Sequence, residues 1–181
     1  MANPRAGKPS SAAPVKFIAA LLLGKGFDKE TRLITKLGSL LGKVDYTGAA
    51  YPFDKTDYYE GEMGRDLSRM IISFHPLGQP TDIVRIKIAT TEIEKDFKEN
   101  GCRRVNIDPG YIDYFKVVLA SFKEGPQKIY LGEGVYADPV LMYHGGAWKP
   151  PEWSFPDFKA GLYNDDFIEI RRIYREARRA G

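Results

Sequence analysis

The sequence predicts an α+β domain, a ferredoxin-like βαββαβ core extended by additional antiparallel strands and a C-terminal helix. Three observations predict it. From residue 15 to 108 the hydrophobic patterns run strand, helix, strand, strand, helix, strand. Segments 114–122, 128–132 and 135–143 then read as strands separated by glycine-bearing turns. Near the end, Phe167, Ile170, Ile173, Tyr174 and Ala177 recur at helical spacing, with acids first and arginines last, as the helix dipole favours.

Each element has its own signal. Residues 1–14 hold small residues and prolines and read as a disordered tail ahead of one domain, 15–181. The apolar run over 15–23 suits a strand buried on both faces. Asp28 is placed to cap a helix carried by Leu33, Ile34, Leu37, Leu40 and Leu41, which Gly42 stops. Residues 44–53 read as a second strand, 54–66 as an acidic loop containing tyrosines. Met70, Ile72 and Phe74 alternate with Arg69, Ile71 and Ser73 in a third strand. Val84, Ile86 and Ile88 alternate like a strand, but Ile86, Ala89, Ile93 and Phe97 form a helix face; the longer window predicts a helix over 81–100. A fourth strand over 103–108 is expected to end in a turn at Pro109-Gly110.

Composition bounds the function. With 181 residues, 43% apolar and 28% charged, the chain suits one soluble domain with a substantial core. A net charge of +3 is too balanced to argue for nucleic acid by bulk charge. The lone Cys102 permits no intrachain disulfide, and with His75 and His144 it shows no zinc-like spacing, so no metal site is expected. The apolar run 17–23 lacks a cleavage site, and no stretch approaches the roughly 20 apolar residues of a membrane span, so a cytoplasmic protein without membrane contact is expected.

The second half concentrates polar and aromatic residues near turns. Asn106 and Asp108 share one face of a strand, where they can orient hydroxyls or amines; an Asx role for Asp108 in its own turn is the structural alternative. Ser121 and Lys123 share a strand side; Lys123 suits an anion-binding charge better than a Ser–Lys nucleophile, because Glu124-Gly125-Pro126 signals exposure. Arg104 adds a second cation, and Tyr111, Tyr130, Tyr136, Trp153 and Asp157 complete the candidate set. The glycines around Glu133 match neither a dinucleotide fingerprint nor a phosphate loop. Asp54, Asp57, Glu60 and Glu62 could hold a hard cation but lack a calcium-loop pattern, so solvated acids are expected there. No catalytic residue and no cofactor follow from these patterns.

Several segments also carry a resemblance. These are Pro52-Phe53-Asp54 through Glu62-Met63-Gly64, Arg104 through Tyr111, Leu119-Ala120-Ser121, Ile129-Tyr130-Leu131-Gly132, and Trp153 with Pro156-Asp157. Together they resemble the prokaryotic family of domain of unknown function 4416, over residues 15 to about 175. One position departs from the family pattern: Asp138 stands where glutamate is expected. The resemblance groups these segments and implies no activity, substrate or cofactor.

The reading drawn from the sequence is a domain binding a small polar or anionic ligand, such as a nucleotide or phosphorylated metabolite. The pocket would form where the 106–111, 121–123 and 153–157 segments meet. Two alternatives stand beside it. One is an RNA-associated module using the sheet and the basic helix bearing Arg171, Arg172, Arg175, Arg178 and Arg179. The other is a protein–protein interaction subunit. Oligomeric state is open.

Overall fold

The computed structural model describes residues 11–180, and of the tail expected over 1–14 the first ten residues lie outside them. Residues 11–14 carry no helix or strand, and the Pro14 carbonyl accepts a hydrogen bond from Tyr174 Oη at 3.1 Å.

The chain is α+β. In order it forms β1 (Lys16–Leu23), α1 (Glu30–Leu41), β2 (Lys43–Thr47), β3 (Tyr51–Pro52), α2 (Glu60–Met63) and β4 (Ser68–His75). A 3-10 turn over Pro80–Asp82 leads into α3 (Ile83–Lys95). Then follow β5 (Lys98–Glu99), β6 (Cys102–Arg103), β7 (Val105–Ile112), β8 (Lys116–Ser121), β9 (Ile129–Gly132), β10 (Val135–His144) and β11 (Ala147–Lys149). Helices α4 (Pro156–Lys159) and α5 (Asn164–Ala180) close the chain. The main sheet runs β11-β10-β8-β7-β1-β4-β2, with β3 on β4 and β9 on β10, and every pairing is antiparallel. Strands β5 and β6 form a separate hairpin.

Both faces of the sheet are covered, which is why β1 reads as an unbroken apolar run from Phe17 to Leu23. Its odd positions Phe17, Ala19 and Leu21 join Met70, Ile72 and Phe74 of β4 and Val105 and Ile107 of β7 beneath Leu33, Leu37 and Leu41 of α1 and Ile83 and Ile86 of α3. Its even positions Ile18 and Ala20 join Ile71, Ile112, Val117 and Leu119 beneath Phe158 of α4 and Phe167 and Ile170 of α5.

Several boundaries differ from the sequence reading. Asp28 caps nothing: Lys29 precedes α1 without a side-chain cap bond. The second strand breaks at Gly48, whose N–H bonds the Ile71 carbonyl at 2.8 Å, and so becomes β2 and β3. The acidic loop contains a helical turn, α2. The second long helix ends at Lys95, and Asn100-Gly101, both at positive φ, turn the β5–β6 hairpin instead of stopping a helix. The largest difference is at Pro109-Gly110, where no turn forms: β7 passes straight through to Ile112.

Candidate functional site

The passage of β7 through Pro109-Gly110 builds the site. Strands β7 and β8 pair only where Gly110–Ile112 meets Val117–Leu119. Before Gly110, β7 pairs with β1 alone; beyond Leu119, β8 pairs with β10 alone. The sheet therefore splits. Gly110 sits at the fork, and a Cβ there would lie 2.2 Å from the Val118 carbonyl oxygen, so only glycine lets the strands approach this closely. In the gap the Ile107 N–H donates to Glu94 Oε1 at 2.6 Å, and the Ile107 carbonyl accepts from Lys87 Nζ at 3.1 Å. Side chains of α3 thus satisfy the backbone groups that a neighbouring strand would otherwise take. Pro109 lies two residues on along the same edge, so its missing N–H also faces the gap, where no strand requires it.

The split opens into a cavity of about 550 Å³. Its charged lining comes from β4 (Arg69), α3 (Lys87, Glu94), β6 (Arg103), β7 (Asp108), the β8–β9 loop (Lys123, Lys128), β10 (Asp138), α4 (Asp157) and α2 (Glu62). Register explains part of this convergence: Arg69 and Asn106 both lie opposite Leu22 of β1, on the face that α4 covers. Arg69 Nη1 donates to Asp157 Oδ2 at 2.6 Å, and Tyr163 Oη donates to the same oxygen at 2.8 Å. Arg69 Nη2 stands 3.8 Å from Asp108 Oδ2, and Lys87 Nζ 3.5 Å from Asp108 Oδ1. Asn106 donates through Nδ2 to Asp108 Oδ2 at 2.9 Å, and its Oδ1 accepts from Arg103 Nη1 at 2.8 Å. Arg103 also bonds Glu94 at 3.0 Å and Glu62 at 2.7 Å. On the opposite wall Lys128 Nζ donates to Ser121 Oγ at 3.0 Å and pairs with Asp138 at 3.3 Å.

Each carboxylate of this lining has a cation within the protein. Lys123 differs: it makes no ion pair among the described residues, and its ammonium lies 3.9 Å from the centre of the Tyr58 ring. Burial, and then the like charge of Lys128, lower its pKa below the usual lysine value. Burial raises the Glu94 carboxyl, against the Ile107 N–H and the charges of Lys87 and Arg103. Burial also works against the Arg69 charge, but Asp157 and Asp108 more than offset it and hold the guanidinium above its usual range. The Tyr59 hydroxyl is pushed up to about 12, first by burial and then by Asp108. The arrangement can hold and orient charged and hydrogen-bonding groups. Ser121 is not paired with a free base, because its partner Lys128 is itself held by Asp138.

Five of the ten residues singled out from the sequence line this cavity: Asn106, Asp108, Ser121, Lys123 and Asp157. The other five lie outside its lining. Arg104 turns to the Lys25 carbonyl and Glu99. Tyr111 packs on the α1/α3 side, because it follows Ile107 in the strand alternation. Tyr130 and Tyr136 pair with each other on the β9–β10 hairpin, ring centres 5.2 Å apart. Trp153 is exposed and donates to the Pro139 carbonyl at 2.9 Å. Of the acidic loop, Glu62 joins the cavity, whereas Asp54, Asp57 and Glu60 line a separate recess of about 930 Å³ that shares Phe53 and Thr56 with it.

The residues missed are Arg69, Lys87, Glu94, Arg103, Lys128 and Asp138, with the aromatic Tyr58, Tyr59, Phe122 and Phe155. Two left a signal. Arg69 is a charge inside an otherwise apolar strand, and Lys87, Thr91 and Glu94 repeat at steps of four and three beside the apolar stripe of α3. Arg103 and Lys128 carry none that separates them from solvated loop charges.

Fold and site together define an α+β domain with an antiparallel sheet split around a charged cavity. Over residues 13–174 the chain matches the family model described as Domain of unknown function (DUF4416), and it belongs to that family. Comparison with curated proteins and with solved structures gives no match. Among the described residues no helix is long and apolar enough to cross a membrane.

Proposed function

We propose that this domain binds a small polar or anionic ligand, such as a nucleotide or phosphorylated metabolite, in the cavity at the split of the sheet. One observation carries the reading. Five cations and five carboxylates surround an open space of about 550 Å³, and all the carboxylates are matched within the protein while Lys123 is left over. Burying paired charges costs several kcal/mol of desolvation per ion and seldom stabilises a fold, so a cluster this dense around a cavity favours a binding role. The cavity volume falls within the roughly 300–1,000 Å³ of small-molecule sites. Lys123 would take the anion; Asp108, 23% exposed, has acceptor capacity left for a hydroxyl or amine. The supporting frame is read as a ferredoxin-like core: β7-β1-β4-β2 follows the order 4-1-3-2 of a βαββαβ unit, with α1 and α3 on one face.

The test is thermal shift and calorimetry with nucleotides and sugar phosphates in the millimolar range, on the wild type and on Lys123→Ala and Asp108→Ala. The expected result is stabilisation of the wild type that both variants lose, since ligand binding to the native state raises the melting temperature by mass action. No shift and no heat of binding with any of these ligands across that range would reject the reading. The RNA alternative is less favoured, because α4 and α5 cover the second face of the sheet. Arg171 and Arg172 of α5 are also engaged, at the Tyr114 carbonyl and at Glu169 and Glu176.

A further inference from the structure

The cavity has a second chemical character that the ion pairs leave unexplained. Three aromatic side chains stand at its mouth in water: Tyr58 is 61% exposed, Phe122 46% and Phe155 44%. A single exposed phenylalanine is ordinary, but here three exposed rings from separate segments (the 53–59 loop, the end of β8 and the start of α4) converge on one hollow. By contrast Phe158, Phe167 and Tyr163 are almost completely buried. Tyr59 and Phe53 continue the aromatic wall inward, with ring centres 5.9 Å apart. Lys87 approaches the Phe122 ring at 5.5 Å, so that ring flanks the charged interior directly.

Resting on the ligand-binding reading above, the geometry points to a ligand that joins a planar heteroaromatic ring to an anionic group, of the nucleoside monophosphate class. Phe122 and Phe155 supply apolar surfaces for the ring. A base stacked on an aromatic ring gains affinity whatever its identity, because every base has a π-face. Asp108 Oδ1 has only a long contact to Lys87, at 3.5 Å, and so has capacity for an N–H donor on the ring edge. Lys123, unmatched by any carboxylate of the lining, takes the phosphate, with Lys128 beside it adding to the field. A sugar phosphate would satisfy the lysine and leave the aromatic mouth wet; an apolar ring alone would leave the lysine uncompensated.

The experiment compares three probes by calorimetry: adenosine 5′-monophosphate, ribose 5-phosphate and adenosine. Proteins are the wild type, Phe122→Ala, Phe155→Ala and Lys123→Ala, all changed at exposed positions, with melting curves of the free proteins confirming that each folds. Adenosine 5′-monophosphate is expected to bind tenfold or more tightly than ribose 5-phosphate. Phe122→Ala and Phe155→Ala should each erase most of that advantage, and Lys123→Ala should bring adenosine 5′-monophosphate down to adenosine. Equal binding of the two phosphates, unchanged in the phenylalanine variants, would overturn the ring assignment while leaving the anion site standing. Ring-dependent binding indifferent to Lys123→Ala would overturn the phosphate assignment. Binding of none of the three would sink this inference, and the reading beneath it falls only if the wider nucleotide and sugar phosphate series also fails.

Discussion

Replacing Asp157 with asparagine tests the floor of the cavity. Asp157 is 1% exposed and Arg69 4%, and they meet at 2.6 Å. At an effective dielectric constant near 20, unit charges about 4 Å apart attract by about 4 kcal/mol. Asparagine keeps the shape and an acceptor oxygen, so Arg69 and Tyr163 retain neutral hydrogen bonds, each contributing about 1 kcal/mol. Asp108, at 3.8 Å, still compensates part of the Arg69 charge. The expected net loss is about 2–3 kcal/mol, below the roughly 3–5 kcal/mol of a fully orphaned buried charge. For a chain of 181 residues that corresponds to a fall in melting temperature of roughly 5–10 °C. Urea denaturation measures it, with the m-value as a check that the unfolded state is unchanged. A double-mutant cycle with Arg69→Met isolates the pair, and its coupling should exceed about 1 kcal/mol. The apolar double variant Arg69→Met/Asp157→Leu should recover much of the lost stability, since well-packed apolar replacements of buried pairs are often neutral or better. A loss under about 0.5 kcal/mol for Asp157→Asn at constant m-value would refute the buried pair and the cavity built on it.

Three further outcomes follow from the geometry. Gly110→Ala places a methyl 2.2 Å from the Val118 carbonyl and should cost about 2–3 kcal/mol, with hydrogen exchange accelerating first at Val117–Leu119 where the fork is held. Burial raises the Asp166 carboxyl, so its stabilising contribution is fully present below the ordinary aspartate range and lost as pH rises through the raised value. Asp166→Asn, which can still accept from Tyr46 Oη, should therefore gain stability relative to the wild type between about pH 4 and pH 7; denaturation at the two pH values measures it, and a gain that shrinks with rising pH would contradict the assignment. Neutralising Arg175, Arg178 and Arg179 of α5 should leave nucleotide and sugar phosphate binding unchanged, while the RNA alternative requires a salt-dependent loss of RNA affinity in a filter-binding assay.

Much of the frame was legible. Alternation in β4 separated Met70, Ile72 and Phe74 from Arg69, Ile71 and Ser73, and the structure sends these two sets to opposite faces. The ambiguous stretch after residue 83 resolved to α3, because a helix period sustained over many residues outweighs three alternating positions. The site was half legible. Asn106, Asp108, Ser121, Lys123 and Asp157 stood out as polar residues beside expected turns and loops, whereas Tyr111 was misplaced by reading Pro109-Gly110 as a turn. Turn statistics favour that dipeptide in a loop, but a split sheet gives it another use: a missing donor where no strand needs one, and a missing Cβ where two strands nearly touch.

By itself the sequence determined the long elements, β1, α1, β4, α3 and α5, and which residues of each face the core, because those follow from sustained apolar runs and from periodicities of two and of 3.6 residues along the chain. Only the tertiary structure decided that β7 and β8 diverge, since strand pairing is chosen by contacts remote in sequence. That divergence gives Arg69, Lys87, Glu94, Arg103, Lys128 and Asp138 a common cavity, because each is partnered by a residue that periodicity cannot name.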